Sequence, residues 1–253
     1  MLCQHEGVTQ PDAASGHLDV TTIDGTVPTD LVLPPPGRGP GIVLVQEIFG
    51  VSPYIRRRAA DLAALGFAVA VPNLYWRHAG EPGGDVVADD DPEALARGMA
   101  LMQATDWDAA VRAVRASIAA LRAHPASGGR AGVLGFCYGG GLAYAAAATG
   151  EGVERPDLVV AYYGSALPAL VDALPVPQIP QLHHFGDADA YLSGDAVRHI
   201  DEVVCTGPDT QVHLWPGAGH AFDNPLPMFH HEDASRGAWR VTTAWLAERL
   251  PVG

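Results

Sequence analysis

The pentapeptide Gly135-Phe136-Cys137-Tyr138-Gly139 follows an apolar run at 132–134 and opens the small-residue segment GGGLAYAAAA at 139–148. Glycines two residues either side of a nucleophile-type side chain, between a strand and a helix, form the G-x-S-x-G pattern, here with cysteine for serine. A strand turning sharply into a helix forces the central residue into a strained backbone, and a Cβ at either flanking position would collide with neighbouring elements. The turn lifts the Cys137 sulfur to the end of the sheet, over a helix N-terminus whose partial positive charge favours negative charge on sulfur. The N–H of Tyr138, next in the chain, becomes an oxyanion-hole donor. The bland alternative is a buried structural cysteine. Cys3 and Cys205 lack this frame and read as inert.

Outward from this turn, strand-like and helix-like segments alternate. Strands are expected at 42–45, 67–71, 132–134, 158–163, 181–185 and 211–215, and helices at 56–65, 140–148, 194–204 and 237–250. Trp107, Val111, Val114, Ile118 and Leu121 recur at helical spacing, with Arg112, Arg115 and Arg122 off the stripe. Upstream, HLDVTTIDGTVPTDLVLP reads as a β-hairpin turning at Asp24-Gly25. Repeated βα units of this kind predict an α/β fold: a mostly parallel central sheet with helices on both faces. Residues 1–16 read as a flexible extension, 78–91 as a surface loop, and 17–253 as a single domain, because no linker divides the core.

Composition narrows the function. Of 253 residues, 48 % are hydrophobic and 17 % charged, enough apolar material for a large core. The net charge is −14 with no lysine, a balance that repels phosphate backbones and argues against a nucleic-acid partner. The first residues have neither the basic nor the apolar region of a secretory signal, and no apolar run is long enough for a bilayer. Three widely spaced cysteines do not form a disulfide framework. A cytoplasmic protein, monomeric or a small homo-oligomer, is expected.

A nucleophile at such a turn needs a base and an acid later in the chain, in the order nucleophile, acid, histidine. Gly217-Ala218-Gly219-His220-Ala221-Phe222 follows the strand QVHLWP, so a glycine-rich loop presents His220; His183 and His184 lie in a strand, and His230 and His231 in a polar segment. Phe185-Gly186-Asp187-Ala188-Asp189 follows the strand PQLHHF and supplies the acid; Asp189 is favoured, with Asp187 a competitor. The acid fixes the imidazole tautomer, leaving the other ring nitrogen for the thiol. No H-E-x-x-H or paired Cys/His spacing suggests a metal, and triad chemistry calls for no cofactor.

With these residues placed, the chain resembles the dienelactone hydrolase family (carboxymethylenebutenolidases), an α/β-hydrolase family. The markers are Gln46-Glu47-Ile48-Phe49-Gly50, Asn73-Leu74-Tyr75-Trp76-Arg77, the 135–141 turn and Gly219-His220-Ala221-Phe222. The resemblance implies a Cys137–His220–Asp189 triad, with Glu47 contacting the nucleophile and helping to activate it. It also implies Ile48 N–H as second oxyanion donor. Two family arginines bind the dienelactone carboxylate: Arg77 matches the first, Asn224 stands where the second is expected, and Arg236 is a nearby cation. Ala221 replaces a small serine. Trp76, Phe222 and Asn224 join Arg77 as candidate substrate contacts.

The implied reaction is acyl transfer through a Cys137 thioester, opening an activated lactone or enol ester of the dienelactone type. Asn224 leaves room for a related esterase or lactonase acting on another substrate. An inactive ligand-binding homologue is a second rival. A thiol redox protein ranks last, because there is no C-x-x-C.

Overall fold

The computed structural model describes residues 15–80, 86–88 and 91–252. One eight-stranded sheet runs through it in the order β1-β2-β4-β3-β5-β6-β7-β8. Its strands are β1 (Ser15–Thr22), β2 (Gly25–Val32), β3 (Gly41–Val45), β4 (Ala68–Pro72), β5 (Ala131–Phe136), β6 (Val159–Tyr162), β7 (Gln181–Gly186) and β8 (Thr210–Trp215). The β1–β2 hairpin and the β2–β4 pairing are antiparallel, and every pairing from β4 to β8 is parallel. Every residue of β3 to β7 is buried, as the strands of a sheet covered on both faces must be.

Among the described residues, seven α-helices accompany the sheet: α1 (Pro53–Ala64), α2 (Ala94–Ala104), α3 (Trp107–Ala123), α4 (Tyr138–Thr149), α5 (Leu167–Ala173), α6 (Gly194–Val204) and α7 (Glu232–Arg249). Right-handed crossovers decide their sides. The chain steps one way from β3 through α1 to β4, then the other way through α3 to β5 and on through α4 to β6. So α1 covers one face and α3 and α4 the other. That reversal makes a switch point at the carboxyl ends of β3 and β5, where open α/β sheets hold their ligands. On the α1 face, the Arg58 guanidinium stacks 4.3 Å over the Trp239 ring of α7.

Two differences from the sequence reading stand out. Strand β1 begins at Ser15, whose Cα partner is Val32, so the edge strand reaches two residues into the expected extension; residues 1–14 lie outside the described part. Helices α2 and α5 were not expected. Helix α2 has only one buried residue, Gly98, and α5 is seven residues long, so neither carries a strong apolar period. No helix among the described residues is long and apolar enough to cross a membrane.

Candidate active site

The turn at Cys137 has the strain that its sequence predicts. Cys137 follows β5 and caps α4 with φ 53° and ψ −114°, a left-handed backbone that a side chain rarely adopts. The glycines make this geometry feasible. A Cβ on Gly135 would sit 2.0 Å from the Gly139 carbonyl oxygen, and one on Gly139 would sit 2.4 Å from that of Gln46. The Cys137 N–H donates to the Tyr162 carbonyl at 2.9 Å, tying the turn to β6. Tyr138 is the first residue of α4, so its N–H has no partner within the helix.

The histidine arrives from the far side of the sheet. His220 Nε2 lies 3.1 Å from Cys137 Sγ, and its Nδ1 lies 2.7 Å from Asp189 Oδ2. The ring stands between Tyr163 and Tyr191, with centroids 5.3 and 5.0 Å away. Burial alone would push His220 down; the Asp189 carboxylate and the sulfur outweigh it and raise the imidazole to about 10. Asp189 is itself oriented, since its Oδ1 accepts the N–H groups of Tyr191 and Leu192 at 2.8 and 3.2 Å. Asp187 does another job: it accepts the Gly217 N–H at 2.6 Å and pins the start of the histidine loop. Cys205 sits on the surface, where burial and Asp201 push its thiol up to about 11. Cys3 lies outside the described residues.

The nucleophile, His220 and Glu47 open onto one cavity of about 200 Å³. Ile48 and Phe49, from the loop after β3, form one wall, and Leu95, Met99 and Met102 of α2 form another. Helix α2 comes this close because of a glycine: a Cβ on Gly98 would lie 3.0 Å from the Ile48 carbonyl oxygen. Glu47 is 1 % exposed, and the Asn224 amide donates to its Oε1 at 2.6 Å. The next residue back, Asp223, is buried and accepts from Tyr54, from Ser235 and, through both oxygens, from Arg58. The segment after His220 is therefore clamped to α1 and α7.

Several expected substrate contacts lie elsewhere. Arg77 does not line the cavity; its guanidinium donates to the Asp24 carbonyl at 2.5 Å and sits 5.0 Å from the Trp76 ring centroid. Asp24, at the hairpin turn, draws Arg77 and Trp76 to a separate depression that Thr22 and Asp106 also line. Phe222 is fully buried against Tyr162 and Tyr163. Asn224 contacts Glu47 and does not line the cavity. Arg236 pairs with Glu232 and Asp233 on the surface of α7. The lining residues that sequence reasoning missed are Leu95, Met99, Met102, Ser165, Tyr191 and Phe229. Only the first three left a signal, apolar residues recurring at helical spacing with Gly98 in their midst.

Comparison with known proteins gives a consistent picture. A sequence profile of the dienelactone hydrolase family matches residues 27–250. A carboxymethylenebutenolidase of a Pseudomonas species is 32 % identical over 223 residues, covering 88 % of this chain and 90 % of that protein. One from Pseudomonas putida is 36 % identical over 183 residues, 72 % of this chain and 75 % of that protein. A dienelactone hydrolase structure from Anabaena variabilis superposes with a TM-score of 0.68 at 18 % identity, covering 95 % of this chain and all of that one. A metagenomic dienelactone hydrolase-like promiscuous phosphotriesterase reaches 0.77 at 21 % identity, covering 96 % of this chain and 100 % of that one.

Proposed function

Because this chain belongs to the dienelactone hydrolase family and is a carboxylic ester hydrolase of that kind, we propose that it hydrolyses an activated ester or lactone through a Cys137 thioester. The observation that carries the proposal is the hydrogen-bonded run Cys137–His220–Asp189, its sulfur on a strained turn and opening into a cavity. The relatives' name points to an enol lactone; the chemistry that transfers is a good leaving group on an acyl carbon.

The Cys137 sulfur attacks the carbonyl carbon as a thiolate, and the developing oxyanion meets the N–H groups of Tyr138 and Ile48. His220, as imidazolium, protonates the departing enolate or alkoxide. The neutral imidazole then takes a proton from water, which attacks the thioester and releases the acid and the thiol. Asp189 keeps the ring aligned through Nδ1. Glu47 shares the cavity with the sulfur and takes part in activating the thiol when substrate enters. A thiolate leaves more readily than a simple alkoxide, so an unactivated ester returns the thiol, and only a good leaving group lets the acyl-enzyme form.

The test is steady-state hydrolysis of 4-nitrophenyl acetate, with acid-quenched protein mapped by mass spectrometry. Wild type is expected to turn over and to carry acetyl on Cys137. The Cys137→Ala variant should lose about a thousandfold or more in kcat/KM. Full activity in that variant would overturn the proposal.

A further inference from the structure

We propose that this site selects uncharged, apolar acyl groups and rejects esters that carry a second carboxylate; the proposal deepens the reading of Cys137 as the acylated nucleophile. The cavity wall is Ile48, Phe49, Leu95, Met99, Met102 and Phe229, and its polar groups, besides the catalytic pair, are Glu47, Ser165 and Tyr191. No arginine lines it, and the chain has no lysine. The residues outside the described part contain neither cation.

Three arginines close in sequence to the cavity wall are bound to other groups. Arg77 is held at Asp24, and Arg58 is bidentate on buried Asp223. Arg97, on α2 itself, pairs with Asp91 at 2.6 Å while its helix turns Leu95, Met99 and Met102 to the cavity. The His220 ring at the cavity is already held by Cys137 and Asp189, and the other acid–base group in the wall is the Glu47 carboxyl. A carboxylate entering this space would lose its water and find no arginine or lysine to pair with. An alkyl chain or ring buries apolar surface against the same wall. The two methionines have flexible, polarisable side chains that fit more than one acyl shape. Selectivity here therefore comes from an apolar wall with no arginine or lysine to anchor an anion.

The experiment compares 4-nitrophenyl hexanoate with mono-4-nitrophenyl adipate, which share the leaving group and acyl length and differ by one terminal carboxylate. Wild type should favour the hexanoate by about 100-fold or more in kcat/KM, as expected for an unpaired buried charge. Parity, or preference for the adipate ester, overturns the proposal. In Met102→Arg the ratio should move at least about tenfold towards the adipate ester, as an ion pair becomes available; an unmoved ratio in a folded variant also counts against it. Cys137→Ala separates the two readings. If that variant retains turnover, the thioester mechanism falls, and the hexanoate-to-adipate ratio still decides the cavity's preference. If wild type hydrolyses neither ester, the dissociation constants of both on wild type, by ligand-observed NMR, decide it instead: tighter hexanoate supports selection of neutral groups, and equal or tighter adipate refutes it.

Discussion

Asn224 and Glu47 show how one residue type sets the electrostatics of a buried site. Glu47 is 1 % exposed, and an amide, a neutral donor, bonds its Oε1 at 2.6 Å. The same amide's Oδ1 accepts the Leu226 N–H at 2.9 Å, so the side chain is fixed at both ends and its NH₂ end is the one facing the carboxylate. Replacing it by aspartate, nearly identical in shape, would set two carboxyl groups at hydrogen-bond distance. One of them must then hold a proton, as like charges at that range do not both ionise. In Asn224→Asp, stability and kcat/KM should approach wild type at low pH, where a shared proton restores the contact. Both should fall progressively behind wild type as pH rises and that proton leaves. Urea unfolding and 4-nitrophenyl acetate kinetics across pH 5 to 9 check this, and a deficit independent of pH would contradict it.

At the scale of elements, the turn between β5 and α4 and the helix α2 behave in opposite ways. The turn is over-determined: Gly139 packs its Cα against the Gln46 and Val45 carbonyls, leaving a Cβ only 2.4 and 2.5 Å from them. Those atoms are backbone of the neighbouring strand end and cannot rotate aside. Gly139→Ala should lose about 3 kcal/mol or more of stability, at the upper end for overpacking. Urea unfolding reads this directly; a loss below about 1 kcal/mol would mean that the β3 end yields. Such a constraint is written in a few adjacent residues, which is why the turn, and the glycine-flanked histidine loop, were legible in the sequence. Helix α2 was not, because its apolar stripe is short and faces a cavity instead of a continuous core. Arg77 is the other instructive case. Its motif places it beside the cavity, and a backbone carbonyl 53 positions away, that of Asp24, takes its guanidinium. Pairings across such separations depend on how the hairpin packs, which local sequence does not record.

The whole molecule assembles the site from the loops after β3, β5, β7 and β8, so its stability and its chemistry depend on the same sheet. Its histidines then give stability opposite slopes on the two sides of neutrality. In β7, His183 and His184 are fully buried, and burial pushes both down, His183 to about 4. Their neutral forms fit the interior: His184 Nδ1 accepts the Trp215 indole N–H at 3.2 Å, and its Nε2 meets the Thr242 hydroxyl at 3.0 Å. Unfolded, each titrates near 6.5. Below that pH the unfolded chain binds more protons than the native one, so stability is full above about 6.5 and declines as pH falls towards 4. His220 runs the other way. It is raised to about 10 in the fold, so its contribution is full below 6.5 and is lost as pH climbs through about 10. Urea unfolding from pH 4 to 10 should therefore show greatest stability near pH 6.5. His183→Leu should flatten the acid limb and leave the alkaline one, while His220→Gln should flatten the alkaline limb and leave the acid one. An acid limb unchanged in His183→Leu would mean that carboxylate titration dominates there, and an alkaline limb unchanged in His220→Gln would show that the imidazolium paired with Asp189 adds nothing to the fold.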